Sequence, residues 1–446
     1  MAEKQKLHIL AFPFPAEGHI NPLMNFTKRL LSKGFKITLI IATPTRKSTE
    51  TQDSADQFNI EYISDGSNEG EEPDSLAGVF RRLNSVMCRD LMKLIEKLNS
   101  SNYPPKVLIY DSILPWALDS AHQLGLLGAS FFSQSCSVCT VYYYMHRGIL
   151  PVSPVEQSSV SIPLLPFLEI DDLPSFSLVM DPDLTVVKLL TGQFSNVEKA
   201  DWIFFNSFDK LENEAANWMA SKWSIKTIGP TILRDNKHHG TCLLEMNSEA
   251  CLKWLDKRDS RSVVYVSLGS VTVVKEEQME ELARGIERSG CYFLWMVRAS
   301  EESKLPENFK SDVSEKGLIV NWCPQLEVLE HQAVACFVTH CGWNSTLEAF
   351  SSGLPIIAFP QMVDQMTNAK FVADIWQAGV RVKANEKGIV TREEVEMKII
   401  EVTQGERGKE LRRNADKLKD LALEATAQGG SSYNNIDEFV SQLSSI

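Results

Sequence analysis

The sequence predicts an α/β protein with two domains, each built on a parallel sheet. Short apolar runs alternate with segments of helical periodicity, this alternation occurs in two separate series, and a polar stretch divides the series. The length of 446 residues also exceeds a single domain of roughly 150 residues about threefold. We expect an N-terminal domain over 1–233, a linker over 234–248, a C-terminal domain over 249–425, and a C-terminal helix over 426–446 that packs back on the N-terminal domain.

The first series opens with an apolar run, Leu7–Phe12, that a turn rich in Pro and Gly ends. Apolar residues at helical spacing follow it, and Gly34 precedes a second apolar run, Phe35–Ile41. The same order continues through Val107–Tyr110 and the helix-like Trp116–Leu124. Strand and helix in regular alternation predict a parallel sheet with crossover helices.

The second series begins at Ser262–Leu268, turns at Gly269, and continues through a helical segment to Tyr292–Val297. Later strand-like runs are Leu318–Val320, Ala335–Thr339, Pro355–Phe359 and Val380–Val382. Within the N-terminal domain, the segment Pro151–Asp183 is broken by repeated prolines and predicts long loops of the kind that often carry binding surfaces, and regular structure returns at Trp202–Asn206. His238 and His239 lie side by side in the polar linker and are expected to be solvated.

Composition excludes several classes of protein. A formal net charge of -13 without a run of Lys and Arg opposes binding to nucleic acid. The nine cysteines include one Cys-x-x-Cys, Cys136 and Cys139, which without a second pair predicts buried thiols. No apolar run approaches the ~20 residues that span a bilayer, and the start lacks the form of a signal peptide. We expect a cytoplasmic monomer without stable membrane insertion.

Polar side chains gather at the ends of successive strands between residues 322 and 365. In an open α/β sheet, ligands bind at the carboxyl ends of the strands. The residues that this rule selects are Trp322, Gln325, His340, Asn344, Ser345, Glu348, Asp364 and Gln365.

The stretch THCGWNSTLE, residues 339–348, predicts a strand end, a tight turn at Gly342 and a new helix. Free N–H groups at a helix N-terminus bind anions. Ser345 and Glu348 also fit a capping box, S-x-x-E, which needs no ligand. His340 and Asn344 at the same turn favour the anion, because a diphosphate uses several donors at once.

Two further positions have both a structural and a functional interpretation. Trp322 after a strand is either a core aromatic or a flat surface for a nucleobase, worth about 1–3 kcal/mol per stacked base. Asp364 and Gln365 are either the start of a helix or hydrogen-bonding partners for sugar hydroxyls.

From Trp322 to Gln365 the sequence resembles the signature box of plant family 1 UDP-glycosyltransferases. The motifs are W-x-P-Q, H-C-G-W-N-S, E, G-x-P and D-Q. The start FPFPAEGHINP, residues 12–22, also resembles this family, so the resemblance covers essentially the whole chain. It implies the GT-B fold, in which two Rossmann-like domains with parallel sheets face each other across a cleft.

The resemblance assigns roles to individual residues. It implies that Trp322 stacks on uracil, that Gln325 and Glu348 hold the ribose, and that Trp343, Asp364 and Gln365 face the sugar. The diphosphate contacts would be His340, Asn344, Ser345 and Ser270, and Cys323 belongs to the same donor-binding set. Gln at position 365 is associated with glucose donors in this family and His with galactose, so UDP-glucose is the expected co-substrate.

The resemblance also identifies His19, in the context G-H-I-N-P, as the base that takes the proton of an acceptor hydroxyl. Without that context a lone His is more often structural. Asp111 resembles the partner that orients and stabilises the imidazolium, and it equally fits a helix cap before Leu114–Leu124. Attack opposite UDP would invert the anomeric centre.

No metal or other cofactor is expected, because a helix N-terminus and nearby donors can stabilise the departing diphosphate. Asp181-Pro182-Asp183 spells the D-x-D of a different glycosyltransferase fold and is interpreted as incidental in a loop. Glu17 stands where many relatives have Gln and would either raise the pKa of His19 or contact the acceptor.

The partners implied are a UDP-sugar and a small lipophilic acceptor. The chain most resembles the branch that contains steroid, terpenoid and carboxylic-acid glucosyltransferases, so a hydroxylated steroid is the first expectation, with flavonoids, other phenolics or a carboxylate next. Suitable apolar side chains in the N-terminal domain equally fit a core. The candidate acceptor residues are Phe14, Glu17, Leu114, Trp116, Tyr142, Met145, Phe176 and Phe194.

Competing functions have weaker support. A lipophilic-ligand carrier of the same fold would not require both His19 and Asp111, and both are present. A dehydrogenase would show G-x-G-x-x-G at the first turn, which has two prolines instead, and the G-x-S-x-G of serine hydrolases does not occur.

Overall fold

The computed structural model describes residues 7–43, 57–67, 82–152, 159–162, 165–176, 184–232 and 248–445. Residues 234–247 of the predicted linker, with His238 and His239, and the triplet Asp181-Pro182-Asp183 lie outside the described residues.

The chain divides into two compact units, one drawn from residues 1–170, 175–233 and 424–446, the other from 171–174 and 234–423. The short segment 171–174 therefore belongs to the second unit, although the residues on both sides of it belong to the first. The sequence pattern did not predict that residues 171–174 belong to the second unit.

The elements of the first half follow one another in regular alternation. They are β1 (His8–Phe12), α1 (Glu17–Ser32), β2 (Lys36–Thr43), β3 (Phe58–Ser64), α2 (Cys88–Asn99), β4 (Pro105–Asp111), α3 (Trp116–Gln123), β5 (Leu127–Phe132), α4 (Cys136–His146), β6 (Ser159–Val160), β7 (Leu168–Glu169), α5 (Thr185–Gly192), β8 (Trp202–Phe205), α6 (Asn213–Ala220) and β9 (Ile225–Thr227).

The second half repeats the pattern and ends in helices. Its elements are α7 (Ser248–Leu255), β10 (Val263–Ser267), α8 (Glu276–Arg288), β11 (Tyr292–Met296), α9 (Phe309–Asp312), β12 (Gly317–Val320), α10 (Gln325–Glu330), β13 (Val334–Thr339), α11 (Trp343–Ser352), β14 (Ile356–Ala358), α12 (Gln365–Lys370), β15 (Gly379–Arg381), α13 (Arg392–Gln404), α14 (Glu406–Thr426) and α15 (Ser431–Leu443). Shorter 3₁₀ turns cover Ile170–Asp172, Val197–Lys199 and Glu302–Lys304, and π-helical turns cover Leu83–Met87 and Phe371–Ile375.

The first unit contains a seven-stranded sheet with the order β3-β2-β1-β4-β5-β8-β9, in which all neighbours are parallel. Helices on both faces leave little room for polar residues, which is why β1 reads as a continuous apolar run and is buried along its length. The strand order reverses between β1 and β4, where Phe12 lies beside Tyr110. A crevice forms outside the carboxyl ends of the strands at such a reversal.

The second unit contains a six-stranded parallel sheet with the order β12-β11-β10-β13-β14-β15. Its order reverses between β10 and β13, where Ser267 lies beside Thr339. The separate pair β6 and β7 is antiparallel. Parallel sheets with crossover helices in both halves confirm the predicted α/β class.

The last helix, α15, completes the core of the first unit. Ile436, Phe439 and Leu443 are buried within it, and the ring of Phe439 packs edge-on to Phe204 at 4.9 Å between centroids. The hydroxyl of Ser432 donates to the carbonyl of Gly229 at 2.6 Å. The spacing of these apolar residues at one face fits an amphipathic helix whose apolar stripe covers a sheet.

Candidate active site

The first candidate group lies at the carboxyl ends of β1 and β4. His19 is the third residue of α1, which follows β1, and Asp111 is the last residue of β4. Nδ1 of His19 lies 2.7 Å from Oδ2 of Asp111. The side chain of Asp111 is fully buried, whereas 20% of the His19 side chain is exposed. The reversal of strand order therefore brings together two residues that are remote in the sequence.

The contact with Asp111 determines which nitrogen of His19 is basic. A carboxylate only accepts hydrogen bonds, so Nδ1 carries the hydrogen and Nε2 has the lone pair. Oγ of Ser133, which follows β5, lies 3.0 Å from the same Nδ1, and the ring of Phe14 packs edge-on at 5.3 Å between centroids. This environment orients the imidazole, and the buried carboxylate favours the positive charge that a base acquires.

Asp111 does not cap α3, the structural role that its position also fitted. The residue before α3 is Pro115, and no side chain caps that helix. Oδ1 of Asp111 instead accepts the N–H of Ile113 at 3.3 Å, which turns the chain after β4. One carboxylate oxygen thus shapes the backbone while the other contacts His19.

Glu17 is exposed and is the first residue of α1. A carboxylate at this end of a helix interacts favourably with the helix dipole. An effect of Glu17 on His19 or on the acceptor stays a prediction.

The candidate acceptor residues separate into accessible and enclosed side chains. Phe14 and Trp116 are partly exposed, and Nε1 of Trp116 donates to Oδ1 of Asn84 at 3.0 Å. Leu114 and Tyr142 have 0% exposure and are core residues in this structure. Their burial corresponds to the core interpretation that the sequence left open, and a role for them in an acceptor pocket stays a prediction.

The remaining three apolar candidates are also enclosed. Met145, Phe176 and Phe194 retain between 4% and 7% exposure. Phe194 stacks on Trp223 at 6.0 Å and lies 5.5 Å from Tyr143 between ring centroids. Their surroundings correspond to the core interpretation that the sequence left open.

The second candidate group lies at the carboxyl ends of β10 and β13. His340 follows β13 directly, and Gly269 follows β10 by two residues. A Cβ atom on Gly269 would lie 2.6 Å from the His340 ring, and Gly269 has a φ of +83°. Only glycine satisfies both conditions, since a side chain would displace the ring and strain the backbone.

Burial lowers the pKa of His340 to about 4. The imidazole is therefore neutral near pH 7 and offers a ligand an N–H donor rather than a positive charge. Thr339 Oγ1 lies 3.3 Å from its Nδ1. An anion at this position would be recognised by hydrogen bonds, which fits the expectation that several donors act together.

Helix α11 presents its N-terminus at the same turn. The residue before it is Gly342, which has no side chain to cap the free N–H groups, and the helix runs from Trp343 for ten residues. Ser345 is thus the third helical residue and not the cap, so the capping-box interpretation does not hold. Asn344 and Ser345 remain partly exposed beside these N–H groups. A helix start of this kind favours a negative charge.

Gln325 connects several of the predicted residues. Its Nε2 donates to Oε2 of Glu348 at 2.6 Å and to Oγ of Ser345 at 3.2 Å. Its Oε1 accepts from the hydroxyl of Tyr265 at 3.2 Å. Because both ends of the amide are engaged, its orientation is determined, and the helices α10 and α11 are joined at this point.

Desolvation raises the pKa of Glu348 to about 7, although the hydrogen bond from Gln325 favours the ionised form. The carboxyl group is therefore poised between its two protonation states near neutral pH. Burial also raises the pKa of Cys323 to about 12, so this residue is a neutral thiol; its Sγ lies 3.2 Å from the Tyr265 hydroxyl.

Trp322 is partly exposed two residues after β12 and three before Gln325. Trp343 differs from it. Trp343 is 3% exposed, and its ring lies 6.1 Å from that of Trp376 between centroids, so the role expected for it beside the sugar stays a prediction. A helix that packs on a sheet turns one face inward, and Trp343 is on that face.

Asp364 and Gln365, the pair expected to face the sugar, lie at the start of α12, where Gln365 is 6% exposed. Oε1 of Gln365 accepts the N–H groups of Gln361 and Met362 at 2.9 and 3.2 Å, which leaves Nε2 as the donor end of the amide. Oδ2 of Asp364 accepts from Nδ2 of Asn368 at 2.9 Å. Asp364 and Gln365 lie at the start of α12, which agrees with their structural interpretation, although the Asp364 side chain does not cap the helix.

Asn368 is a residue that sequence reasoning missed. It is 1% exposed, and its Nδ2 contacts both Asp364 and the carbonyl of Cys341 at 3.0 Å. The backbone of Cys341 is left-handed, with a φ of +61°. The amide thus connects the turn after β13 with the residue proposed to hold the sugar. Its spacing of four residues from Asp364 on a helix was the available signal.

Ser270 is exposed, and its carbonyl accepts from Nη1 of Arg298 at 2.9 Å. Nη2 of Arg298 donates to the carbonyl of Thr272, and Glu301 accepts the N–H of Val274 at 3.1 Å. Arg298 was also missed, because a cation in a loop after β11 has no sequence feature that links it to Ser270.

Among the described residues, no helix is long and apolar enough to cross a membrane.

Comparison with known proteins places this geometry in context. The family profile described as "UDP-glucoronosyl and UDP-glucosyl transferase" matches residues 217–421. A UDP glycosyltransferase 9 from Catharanthus roseus is 51% identical over 98% of this chain and 97% of its own length. A mogroside I-E synthase from Siraitia grosvenorii is 45% identical over 99% of both chains.

Among solved structures, Os79 from O. sativa in complex with UDP is 38% identical, covers 98% of this chain and 100% of its own, and has a TM-score of 0.88. A second structure of Os79 contains U2F and trichothecene and has a TM-score of 0.87. These similarities extend over both units.

Proposed function

The chain belongs to the plant family 1 UDP-glycosyltransferases with the GT-B fold, and from this premise we propose that it is an inverting, UDP-glucose-dependent O-glucosyltransferase. The proposed acceptor is a hydroxyl group of a small lipophilic plant metabolite, with a hydroxylated steroid as the first candidate. The observation that supports the proposal of catalysis is the 2.7 Å contact between His19 Nδ1 and Asp111 Oδ2.

The proposed base is Nε2 of His19. It accepts the proton of the acceptor hydroxyl as the oxygen forms a bond with the anomeric carbon and the bond to UDP breaks. The imidazolium that results is stabilised by Asp111, whose contact to Nδ1 persists through the step. Attack from the face opposite UDP turns an α-linked donor into a β-glucoside.

The proposed donor site consists of the residues around β10 and β13. Trp322 stacks on uracil, while Oε1 of Gln325 and the carboxylate of Glu348 accept hydrogen bonds from the ribose hydroxyls. The N–H groups at the start of α11, with His340, Asn344, Ser345 and Ser270, bind the diphosphate and stabilise its charge as it departs. This mechanism uses hydrogen bonds and the helix dipole and requires no metal ion.

The proposed sugar is glucose, because residue 365 is Gln. Its Oε1 is engaged by the N–H groups of Gln361 and Met362, so Nε2 is directed as a donor. Asp364 supplies a carboxylate that accepts from sugar hydroxyls. A fixed amide donor beside a carboxylate acceptor suits a hexose with hydroxyls on adjacent carbons.

The acceptor class has the weaker support. Phe14 and Trp116 are the accessible aromatic side chains among the candidates, and Phe14 contacts His19. One relative is named for the synthesis of a mogroside and another was crystallised with a trichothecene, and the proposal for this chain is a steroid acceptor. A cytoplasmic location and a monomeric state are proposed with it.

The test is incubation of the purified protein with UDP-glucose or UDP-galactose and a panel of steroids, flavonoids, simple phenols and carboxylic acids. We expect a product one hexose heavier with a steroid and UDP-glucose, and β configuration at its anomeric carbon by NMR. His19→Ala is the matched control, which retains UDP binding but forms product about 10²- to 10⁴-fold more slowly. UDP binding without transfer to any member of the panel would favour a ligand-binding protein instead.

A further inference from the structure

A short segment from the first half of the chain is built into the second unit. Residues 171–174 follow β7 and interrupt a region that otherwise belongs to the first unit. Asp172 is 4% exposed, which is rare for a carboxylate without a cationic partner. Asp172 takes no part in the proposed reaction. Its burial therefore needs an explanation other than catalysis.

The partners of Asp172 are cations of the second unit. Its Oδ1 lies 2.6 Å from Nη1 of Arg381, and its Oδ2 lies 3.3 Å from Nζ of Lys370. The backbone of the segment adds two contacts, since Thr367 Oγ1 donates to the Asp172 carbonyl at 2.6 Å and Arg381 Nη2 donates to the Asp171 carbonyl at 2.8 Å.

These contacts fix α12 at two points. Thr367 is the third residue of the helix and Lys370 is the last, and the helix is six residues, or about 9 Å, long. Arg381 ends β15, so the helix is held against the edge strand of the sheet through Asp172. The helix continues directly into the π-helical turn Phe371–Ile375, and the contacts at Thr367 and Lys370 hold this helical segment beside β15.

The helix that Asp172 fixes is the one that begins at the sugar-facing pair. Gln365 is its first residue and Asp364 precedes it. The residues assigned to uracil and ribose lie elsewhere, after β12 and on α10 and α11. A shift at the start of α12 would therefore disturb contacts with the hexose first and leave the uridine contacts in place. Asn368 of the same helix also donates to the Cys341 carbonyl in the turn after β13, so the affinity for UDP reports whether the shift reaches the diphosphate contacts.

We propose that Asp172 is a positioning residue for the donor sugar: paired with Arg381 and Lys370, it holds α12 so that Asp364 and Gln365 meet the hexose. This inference rests on the proposed function, because it assigns the sugar to the start of α12. It predicts that loss of the Asp172 charge weakens binding of UDP-glucose and leaves binding of UDP unchanged. A merely structural role would affect both ligands.

The experiment compares wild type with Asp172→Asn, which keeps the size of the side chain and removes its charge. Dissociation constants for UDP and UDP-glucose are measured by calorimetry, and KM and kcat with a working acceptor. We expect Kd and KM for UDP-glucose to rise about tenfold, since small displacements of positioning groups have effects of this order or larger, and Kd for UDP to change less than about twofold.

Arg381→Gln and the double variant with Asp172→Asn complete a cycle. If Asp172 acts through Arg381, the double variant is no weaker for UDP-glucose than the single variants, whereas independent effects would multiply. Arg381→Gln also serves as the test if Asp172→Asn does not fold. Asp374→Asn is the matched control, because Asp374 contacts the same Lys370 at 2.8 Å but is 54% exposed; it should leave both constants unchanged.

The outcomes distinguish this inference from the proposed function. Wild type that fails to bind UDP-glucose more tightly than UDP-galactose, or to transfer glucose, would overturn the donor assignment itself. Normal wild-type binding together with an unchanged UDP-glucose Kd in Asp172→Asn would overturn the role of Asp172 alone. Equal losses for UDP and UDP-glucose would also overturn it, because they would show a general disturbance of the unit.

Discussion

Protonation of Glu348 should control donor binding near neutral pH. Its pKa is raised to about 7 by desolvation, and the ribose hydroxyls are expected to donate to its carboxylate. A protonated carboxyl group loses acceptor capacity and must place a hydrogen where the ribose or Gln325 already donates. Binding of UDP-glucose should therefore favour the ionised form and expel a proton from the free protein.

The size of the effect follows from the pKa. If Glu348 titrates at about 7 in the free protein and well below that in the complex, the apparent affinity at pH 6 is about tenfold weaker than at pH 8, or roughly 1.4 kcal/mol. The sign is fixed, since lowering the pH protonates the free protein and opposes binding. The proton released per ligand should be about 0.9 at pH 6, 0.5 at pH 7 and 0.1 at pH 8.

Isothermal titration calorimetry in buffers with different ionisation enthalpies measures both quantities. UDP-glucose is the ligand of choice, because the terminal phosphate of UDP titrates near pH 6 and would add its own proton. His340 does not interfere, since its pKa of about 4 keeps it neutral throughout. Glu348→Gln is the control, and its UDP-glucose affinity should be independent of pH.

Equal affinities at pH 6 and pH 8, with a binding enthalpy that does not depend on the ionisation enthalpy of the buffer, would refute the reasoning. Proton release that persists in Glu348→Gln would assign the titration to another group. Either result would also remove the support for a carboxylate in the ribose contact.

Three further predictions concern other residues of the proposed site. His19→Ala should lower kcat/KM about 10²- to 10⁴-fold, as expected for loss of a general base, and keep Kd for UDP within about twofold; unchanged turnover would contradict the assignment. Trp322→Ala should weaken UDP binding by about 1–3 kcal/mol, measured by calorimetry, and an unaltered Kd would mean that the ring does not stack on uracil. Asn368→Asp places a carboxylate beside Asp364 and the Cys341 carbonyl. It should raise KM for UDP-glucose about tenfold, as displaced positioning groups do, and a normal KM would show that this connection does not position the sugar contact.

The course of the strands and the identity of the polar residues at their ends could be predicted from the sequence. Apolar runs of three to seven residues between helical segments leave few alternatives to a parallel sheet. The carboxyl ends of parallel strands lie at one edge of their sheet. The sequence therefore assigns His340, Ser345 and Glu348 to that edge.

Several interpretations that the sequence left open were decided by packing. Ser345 and Glu348 fitted a capping box, but the helix begins at Trp343, so Glu348 contacts Gln325 instead of a backbone N–H. Leu114 and Tyr142 were equally suited to a pocket and a core, and their complete burial places them in the core. The composition and spacing of residues are the same whichever interpretation is correct. Only the neighbours of a residue in space distinguish one interpretation from the other.

The sequence by itself determined the fold class, the family and the set of residues around residues 322–365, because these depend on local periodicity and on the chemistry of adjacent positions. The tertiary structure alone decided the supporting contacts, namely Ser133 at His19, Tyr265 at Gln325, Asn368 at Cys341 and Asp172 at Arg381. Each of these four contacts joins segments that are far apart in the chain. The additional contact of Asn368 with Asp364 is local, because four residues separate them on a helix. Such contacts depend on strand order and on the path of loops, and neither is encoded in the spacing of residues along one segment.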